Sequence, residues 1–301
     1  MTTKPQFETT DCGLLVRAPA KINLSLLIAG KRDDGFHNIE TIMAKVDYFD
    51  ELLIKKSSGS GIQLTCNGPQ WAPQGPENLV FKAAKLLCED CSVSPSLELT
   101  LTKNIPAGTG LGSGSSDAAA TLLGINRLLD LRLPKTRLAS LAARLGSDIA
   151  FFIYGPLSYC TGKGELIDEL HTSFDFTALL ILPSISVSTP MVYNAYSHNP
   201  DIYTQLHREI NAHIKENRID FVANMCANML SNSCFSMERG LTEAKERFEH
   251  RGIDNICLSG SGSAMYCILD PATSETRLDS LGNIISQETG YRSVIIHSIR
   301  W

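Results

Sequence analysis

Long apolar stretches rich in strand-forming residues occupy the first part of the chain. Residues 12–30, CGLLVRAPAKINLSLLIAG, predict two short strands because Pro19, which lacks an amide hydrogen, interrupts the run. A turn cluster follows at 31–35. Residues 41–55 predict a second pair of strands, separated around Asp47–Asp50. The pattern therefore predicts a chain that begins with several short strands.

Further along, strand and helix patterns are mixed. Asn78 is placed to cap a helix over 79–90, and Leu97–Thr102 alternates apolar and polar residues as a half-buried strand does. The other predicted strands are 62–66, 178–183, Ile256–Leu258, Ala264–Leu269 and Ser293–Ile299. The other predicted helices are about 117–129, 135–145, 201–216, 218–230 and 237–250. Because strands and helices do not alternate regularly, the order favours an α+β fold over a doubly wound sheet.

Composition narrows the class of protein. The 301 residues suggest two domains, at roughly 100–200 residues per domain, and we place the boundary near residue 170. With 27 Lys and Arg against 32 Asp and Glu, the net charge is −5, which argues against a general nucleic-acid binder. No apolar run approaches the roughly 18 residues of a membrane span, and the start MTTKPQFETTDCG lacks an apolar signal core. We therefore expect a cytoplasmic protein without nucleic-acid or membrane partners.

The nine cysteines are scattered, and most lie within apolar runs. This usage predicts reduced, buried thiols. Cys88 and Cys91 have the CxxC spacing, but a zinc site needs two more ligands at suitable spacing, and none follows. We therefore predict that this pair lies near the end of a helix, and we predict no metal site.

The segment with the clearest chemistry is rich in glycine and serine. It consists of Pro106, Ala107, Gly108, Thr109, Gly110, Leu111, Gly112, Ser113, Gly114, Ser115 and Ser116. Glycines allow backbone amides to converge on a ligand, and the helix that follows adds its unpaired N-terminal amides. Together they predict a phosphate site. The segment is neither a Walker A loop nor a dinucleotide motif, and a flexible linker would not run straight into a helix with a buried face.

This loop resembles the phosphate loop of the GHMP superfamily of galactokinases, homoserine kinases, mevalonate kinases and phosphomevalonate kinases. Two other segments resemble further motifs of the superfamily: Ala18-Pro-Ala-Lys-Ile-Asn-Leu24 resembles its first motif and Leu258-Ser-Gly-Ser-Gly-Ser-Ala264 its third. Three more segments are similar to features of one of its families, the 4-diphosphocytidyl-2-C-methyl-D-erythritol kinases: Asp34-Gly-Phe-His37, Leu145-Gly-Ser-Asp-Ile-Ala-Phe-Phe152 and Cys160-Thr-Gly-Lys-Gly-Glu165. The chain departs from the family at 112–116, at 147–150 and at 232–235, and we assign no role to the last segment.

The resemblance implies a two-domain GHMP kinase fold. An N-terminal nucleotide- and phosphate-binding domain would cover 1–170, and a C-terminal, ferredoxin-like substrate domain 171–301. The implied reaction is phosphorylation of the 2-hydroxyl of 4-diphosphocytidyl-2-C-methyl-D-erythritol by ATP with Mg²⁺, in the non-mevalonate isoprenoid pathway. The alternatives are another GHMP kinase, of the mevalonate or homoserine type, and a non-catalytic nucleotide-binding regulator. The oligomeric state stays open between a monomer and a weak homodimer.

Two residues are candidates for the catalytic step. Asp148 can accept or orient the proton of the acceptor hydroxyl, and Lys21 supplies a cation for the incipient alkoxide or the transferring phosphoryl group. Asn23, two residues on, shares the strand face of Lys21 and can bind the substrate polyol or Asp148. Taken singly, Asp148 could instead cap a helix and Lys21 could be a solvated strand residue. The functional interpretation of the two residues is favoured when they are considered together with the phosphate loop.

The remaining candidates concern the two nucleosides. Phe36 and Tyr193 could sandwich the pyrimidine ring, His37 could bind the cytosine edge, and Thr189 the ribose. Tyr193 could equally be a core aromatic residue and His37 a turn residue. The loop Ser259–Ser263 is either a plain hairpin turn or a backbone that closes on the substrate. Two further residues, Lys103 and Asn78, are candidates for the border of the adenine pocket.

Overall fold

The computed structural model describes residues 4–172 and 174–301. The strands are β1 Phe7–Thr10, β2 Gly13–Lys31, β3 His37–Lys56, β4 Ile62–Asn67, β5 Leu97–Thr102, β6 Leu157–Thr161, β7 Leu166–Glu169, β8 Thr177–Leu182, β9 Cys257–Leu258, β10 Met265–Ile268 and β11 Arg292–His297. The helices are α1 Leu79–Asp90, α2 Ser113–Leu128, α3 Lys135–Ala143, α4 Thr189–Ala195, α5 Pro200–Lys215, α6 Ile219–Asn224, α7 Ser231–Met237, α8 Arg239–His250 and α9 Glu275–Thr289. A short 3₁₀ helix covers Ala150–Ile153.

The first sheet is built around two long antiparallel strands, β2 and β3. Its order is β1-β2-β3-β5-β4, and β6 and β7 extend it beside the first half of β3. The prediction of four short strands in this region was wrong. Pro19 does not end β2, because the pairing with β3 shifts register between Pro19 and Ala20, and such a bulge lets the strand continue past a residue that cannot donate a hydrogen bond.

The second sheet has the order β11-β8-β10-β9, and each neighbouring pair is antiparallel. Helices α4 to α8 connect its first two strands in sequence, and α9 connects the last two. This β-α-β-β-α-β order is ferredoxin-like, so the predicted α+β fold is confirmed. The division of the chain near residue 170 stays a prediction.

Three hydrophobic clusters hold these layers together. One lies between the first sheet and α1 to α3, and another packs the second sheet against α8 and α9. The third is shared by the two sheets: it joins Ile22 of β2 and Ile42 of β3 to Leu180 of β8 and Tyr266 of β10. Burial of this shared apolar surface fixes the two sheets against each other.

Two predicted helices differ from those of the structure by four residues or more at one end. Helix α2 begins at Ser113, four residues earlier than predicted, so the last serines of the glycine-rich segment form its first turn. The predicted helix 218–230 ends at Asn224. Beyond that point the backbone pairs with β2 instead, since Leu26 N donates to Ala227 O at 2.7 Å and Met229 N donates to Leu26 O at 2.9 Å.

The prediction that all cysteines are reduced and buried was wrong in part. Cys226 and Cys257 form a disulfide, with their Cα atoms 5.1 Å apart, and Cys12 is exposed. Cys88 and Cys91 lie at the end of α1, as predicted. Along the described parts of the chain, none of the helices combines the length and apolar character that a membrane crossing would require.

Candidate functional site

A cavity of about 710 Å³ opens where the glycine-rich segment, the long strands and the second sheet meet. It contains both predicted catalytic residues, most of the glycine-rich segment and all the residues predicted to bind the acceptor. The predicted residues that line it are Lys21, Asn23, Phe36, His37, Pro106, Ala107, Gly108, Thr109, Gly110, Gly112, Ser113, Gly114, Ser115, Asp148, Thr189 and Tyr193. Residues that are far apart in the sequence therefore share one site.

Left-handed backbone at three glycines shapes the glycine-rich segment. Gly108, Gly110 and Gly112 have φ of +70°, +79° and +71°, values that other residues rarely adopt. A Cβ atom on Gly110 would lie 2.0 Å from Ser259 O, so this position also needs glycine for space. Gly112 is the N-cap of α2, and Ser113 opens the helix. The segment thus brings the free amides and the positive dipole end of a 16-residue helix to the cavity, an arrangement suited to phosphate.

Two residues of the segment turn away from the cavity and anchor it. Leu111 is buried, and its carbonyl accepts a hydrogen bond from Lys21 N at 3.0 Å. Ser116 is buried in the first turn of α2, where its amide donates to Gly112 O at 2.8 Å. The glycine-rich segment is therefore tied by its backbone to the strand that carries Lys21.

Lys21 and Asn23 lie on the same face of β2, in a stretch of the strand that is buried on both faces. Lys21 Nζ donates to Asn23 Oδ1, and Asn23 Nδ2 donates to Thr41 Oγ1 at 2.8 Å. Burial lowers the pKa of Lys21, while the charge of Asp148 opposes that change. Asn23 therefore holds the Lys21 ammonium in place at the cavity wall.

Asp148 precedes the 3₁₀ helix and is half-buried. Its Oδ1 accepts a long hydrogen bond, 3.4 Å, from Ser147 Oγ, and a Cβ atom on Gly164 would lie only 3.2 Å from it. Both Asp148 and Lys21 belong to the described part of the chain, and no ion pair within 4.0 Å joins them. The carboxylate thus faces the cavity without being neutralised by direct contact.

Aromatic side chains form the other end of the cavity. The rings of His37 and Tyr193 lie 5.2 Å apart with a tilt of 34°, and the Phe36 side chain is 57% exposed. Burial, together with the charges of Lys31 and His198, lowers the pKa of His37, so its neutral ring can both donate and accept a hydrogen bond near pH 7. This end offers a flat apolar surface with polar edges.

The Ser259–Ser263 loop packs against the glycine-rich segment. Ser259 Oγ donates to Gly110 O at 3.0 Å, and Ala264 N donates to Thr109 O at 3.0 Å. Ser261 and Thr189 share a hydrogen bond of 2.7 Å between their hydroxyl groups, and Gly260 and Ser261 line the cavity. The loop is therefore part of the cavity wall.

The structure does not bring Lys103 and Asn78 to the cavity. Asn78 caps α1, where its Oδ1 accepts a hydrogen bond of 2.8 Å from Val80 N. Lys103 Nζ is buried; it bonds to Asp50, to Ser113 and, at 2.6 Å, to Asp117 Oδ2. Burial and then the charge of Asp50 raise the pKa of Asp117 to about 8, while Lys103 opposes this. Lys103 thus supports the first turn of α2 from behind.

Sequence reasoning missed several residues of this site. Lys163 lines the cavity. The sequence identified its motif, Cys160–Glu165, but predicted no role for this lysine. Asn228 donates through Nδ2 to Leu258 O at 2.9 Å and to Gly260 O at 2.8 Å, and so fixes the Ser259–Ser263 loop. No local pattern marks Asn228, because its role depends on the pairing of residue 228 with Leu26.

Comparisons with known proteins agree with this geometry. Residues 78–156 match the sequence model described as GHMP kinases N terminal domain. A crystal structure of homoserine kinase from Cytophaga hutchinsonii superposes with a TM-score of 0.74 at 20% identity, over 99% of this chain and 98% of that chain, which shows the fold. Fold and site together define a GHMP kinase.

Similarity to individual proteins identifies the family within the GHMP kinases. The chain is 34% identical to a 4-diphosphocytidyl-2-C-methyl-D-erythritol kinase of Clostridium botulinum over 85% of this chain and 90% of that protein. It is 38% identical to the enzyme of the same name from Bacillus cytotoxicus, over 84% and 87%. A crystal structure of 4-(cytidine 5'-diphospho)-2C-methyl-D-erythritol kinase superposes with a TM-score of 0.75 at 28% identity, over 95% of this chain and 99% of that chain. The chain belongs to the 4-diphosphocytidyl-2-C-methyl-D-erythritol kinase family.

Proposed function

We propose that this protein transfers the γ-phosphoryl group of ATP to the 2-hydroxyl of 4-diphosphocytidyl-2-C-methyl-D-erythritol, a step of the non-mevalonate isoprenoid pathway. One observation carries the proposal. A single cavity is lined by a helix N-terminus built for phosphate, by Lys21 and Asp148, and by the aromatic group Phe36, His37 and Tyr193. Donor phosphates, acceptor alcohol and pyrimidine each have a matching surface there.

The donor end suits ATP and its metal ion. The amides of 112–115 would bind the triphosphate at the start of α2. Mg²⁺ prefers oxygen ligands, and Ser115, whose hydroxyl can serve as one, lines the cavity, so this end fits a Mg²⁺ ion held mainly by the phosphates. Bound there, the ion would neutralise phosphate charge.

Phosphoryl transfer asks the protein mainly for alignment and charge stabilisation. Asp148 accepts or orients the proton of the acceptor hydroxyl as its oxygen bonds to the γ-phosphorus. The bond from that phosphorus to the β-phosphate oxygen breaks, and ADP leaves. Lys21, held by Asn23, stabilises the negative charge on the attacking and transferring oxygens.

The acceptor end suits a pyrimidine nucleotide. The pyrimidine would stack on Phe36 and Tyr193, His37 would bind the polar edge of the ring, and Thr189 the ribose. We further propose a cytoplasmic protein, a monomer or weak homodimer, without nucleic-acid or membrane partners. Light scattering and cell fractionation test these points.

The test of the main proposal is an ATP-consumption assay with Mg²⁺ and three acceptors: the cytidylyl substrate, mevalonate and homoserine. Turnover of the cytidylyl substrate alone is expected. Turnover of mevalonate or homoserine instead would move the protein to another branch of the superfamily. ATP binding without turnover of any acceptor would favour a nucleotide-binding regulator.

A further inference from the structure

A buried carboxylate behind the glycine-rich segment takes no part in the steps above. Asp50 of β3 is 0% exposed and is not among the described residues that line the cavity. It nevertheless contacts the chain on both sides of residues 106–112, the part of the segment that leads into α2. A group in this position can control the shape of a phosphate site that it does not touch.

Asp50 fixes the entrance to the segment through backbone amides. Its Oδ1 accepts hydrogen bonds from Asn104 N at 2.6 Å and from Ile105 N at 2.9 Å, just before Pro106. The side chain of Asn104 adds to this attachment, since its Nδ2 donates to Phe49 O at 2.9 Å. The end of the segment that follows β5 is therefore attached to β3.

The other carboxylate oxygen of Asp50 reaches the first residue of α2. Ser113 Oγ lies 3.2 Å from Asp50 Oδ2 and 3.1 Å from Ile105 O, so its hydroxyl can donate to either. Lys103 Nζ donates to Asp50 Oδ2 and to Ser113 Oγ. It also donates at 2.6 Å to Asp117 Oδ2, one turn further along α2. Both ends of residues 106–112 are thus bonded to one buried carboxylate, whose charge Lys103 balances.

The residues between these two attachments have high intrinsic conformational freedom. Gly108, Gly110 and Gly112 all have left-handed backbone, and glycine loses more conformational freedom on ordering than any other residue. Ordering the backbone of one residue costs about 1–2 kcal/mol, so a segment whose ends are already fixed binds phosphate with a smaller loss. Bonds to the Ser259–Ser263 loop hold its middle, whereas the Asp50 carboxylate holds its two ends.

We infer that Asp50 is a positioning residue for ATP, because it holds the glycine-rich segment in the shape that binds the triphosphate. The inference rests on the proposed binding of the triphosphate by the amides of 112–115. Asparagine has nearly the same shape, but it keeps one oxygen acceptor and replaces the other with an NH₂ donor. In Asp50→Asn that donor faces either the Lys103 ammonium or the two backbone amides, which are donors themselves, so at least one end of the segment is released.

The test compares Asp50→Asn with the same substitution at Asp47 of the same strand. Asp47 also accepts a backbone N–H, from His297 at 2.6 Å, but this bond leads to β11 and not to the segment. ATP with Mg²⁺ is titrated calorimetrically into the parent, D50N and D47N, and the KM of each substrate is measured at a saturating concentration of the other. D50N is expected to weaken ATP binding and to raise the KM for ATP about tenfold, and to leave the KM for the cytidylyl substrate unchanged. D47N should match the parent for both substrates.

Two further measurements separate positioning from a general loss of structure. Urea unfolding gives the stability that each substitution costs, and a purely structural role would lower the active fraction without changing the ATP affinity of the molecules that remain folded. Ser113→Ala removes the hydroxyl that joins the start of α2 to Asp50, and it tests the same attachment if D50N does not fold. Because this hydroxyl is bonded within the buried cluster, its loss acts on ATP through the shape of the segment and should raise the KM for ATP about threefold.

Other results would overturn the inference. Parent-like ATP affinity in D50N, or in S113A where D50N does not fold, would mean that Asp50 only stabilises the fold. Equal losses of ATP affinity in D50N and D47N would assign the effect to general destabilisation. A higher KM for the cytidylyl substrate alone would assign Asp50 to the acceptor side. In each of these cases the proposed function stands if the parent turns over the cytidylyl substrate, whereas a parent that binds no ATP would overturn both.

Discussion

Lys45 offers a test of how the charge of a buried lysine limits the stability of this fold. It lies on β3 opposite Lys21 of β2 and is 1% exposed. Its Nζ donates to Phe152 O at 3.2 Å and to Tyr154 O at 2.8 Å, at the end of the 3₁₀ helix. Burial lowers the pKa of Lys45 from 10.5 to about 7; the charge of Lys135 adds to this effect and that of Glu169 opposes it.

The sign and size of the effect follow from proton linkage. Between pH 7 and 10.5 the unfolded chain holds a proton on Lys45 that the folded protein has released, so the free energy of unfolding rises with pH across this window. Below pH 7 both states are protonated, and the full penalty of burying the ammonium applies. At about 1.4 kcal/mol per pH unit, the contribution grows by about 2–3 kcal/mol between pH 6 and pH 9.

The measurement is urea unfolding of the parent and K45M at pH 6, 7, 8 and 9. K45M loses the two hydrogen bonds at every pH but also loses the titration. The parent should therefore gain about 2–3 kcal/mol over K45M between pH 6 and pH 9. Other titrating groups, Asp117 included, are present in both proteins and cancel to first order. K215M, which removes an exposed lysine, should track the parent at every pH. A difference between the parent and K45M that stays constant, or that shrinks as the pH rises, would refute the reasoning.

Three shorter predictions concern the site. Asp148→Asn should lower kcat by about 10²–10⁴-fold and leave ATP affinity nearly unchanged, measured by steady-state kinetics and ATP titration, and a variant with most of the parent rate would contradict the catalytic role. Phe36→Ala should raise the KM for the cytidylyl substrate more than that for ATP, whereas equal increases would exclude stacking on this ring. Gly110→Ala should weaken ATP binding and lower the melting temperature, because the new Cβ meets Ser259 O at 2.0 Å. Gly61 has a similar left-handed backbone, with φ +73°, but open space around it. Equal effects of Gly61→Ala and Gly110→Ala would therefore mean that backbone strain, and not the contact with Ser259 O, causes the loss.

Local patterns were sufficient where structure depends on near neighbours. The cap at Asn78, the alternation of β5 and the phosphate loop all follow from residues within a few positions of each other. The continuity of β2 and β3 could not be predicted in this way, since a shift in pairing absorbs Pro19 only when a full-length partner strand is present. Helix α9 was not predicted, although Ser274 caps it.

The residues of the candidate site also fall into those that a local pattern predicts and those that depend on distant contacts. The phosphate loop was visible in composition alone, but bringing Lys21 and Asp148 together required the family resemblance, because 126 intervening residues separate them. Lys103 was predicted to border the adenine pocket. Its real partners, Asp50 and Asp117, come from a different strand and from α2, so only the packed structure reveals an ion cluster.

The two loops that we propose to contact the donor and the acceptor are joined by hydrogen bonds. The carbonyl groups of Thr109 and Gly110 accept hydrogen bonds from Ala264 and Ser259, so the phosphate loop and the Ser259–Ser263 loop cannot move separately without breaking them. Asn228 in turn fixes Gly260, where a Cβ atom would lie 3.3 Å from Lys21 Nζ. A nucleotide that orders the phosphate loop therefore also orders the wall beside the acceptor alcohol. Once the first ligand has ordered that wall, the second ligand binds with a smaller loss of conformational entropy. The geometry therefore leads us to expect that ATP and the acceptor bind with positive cooperativity.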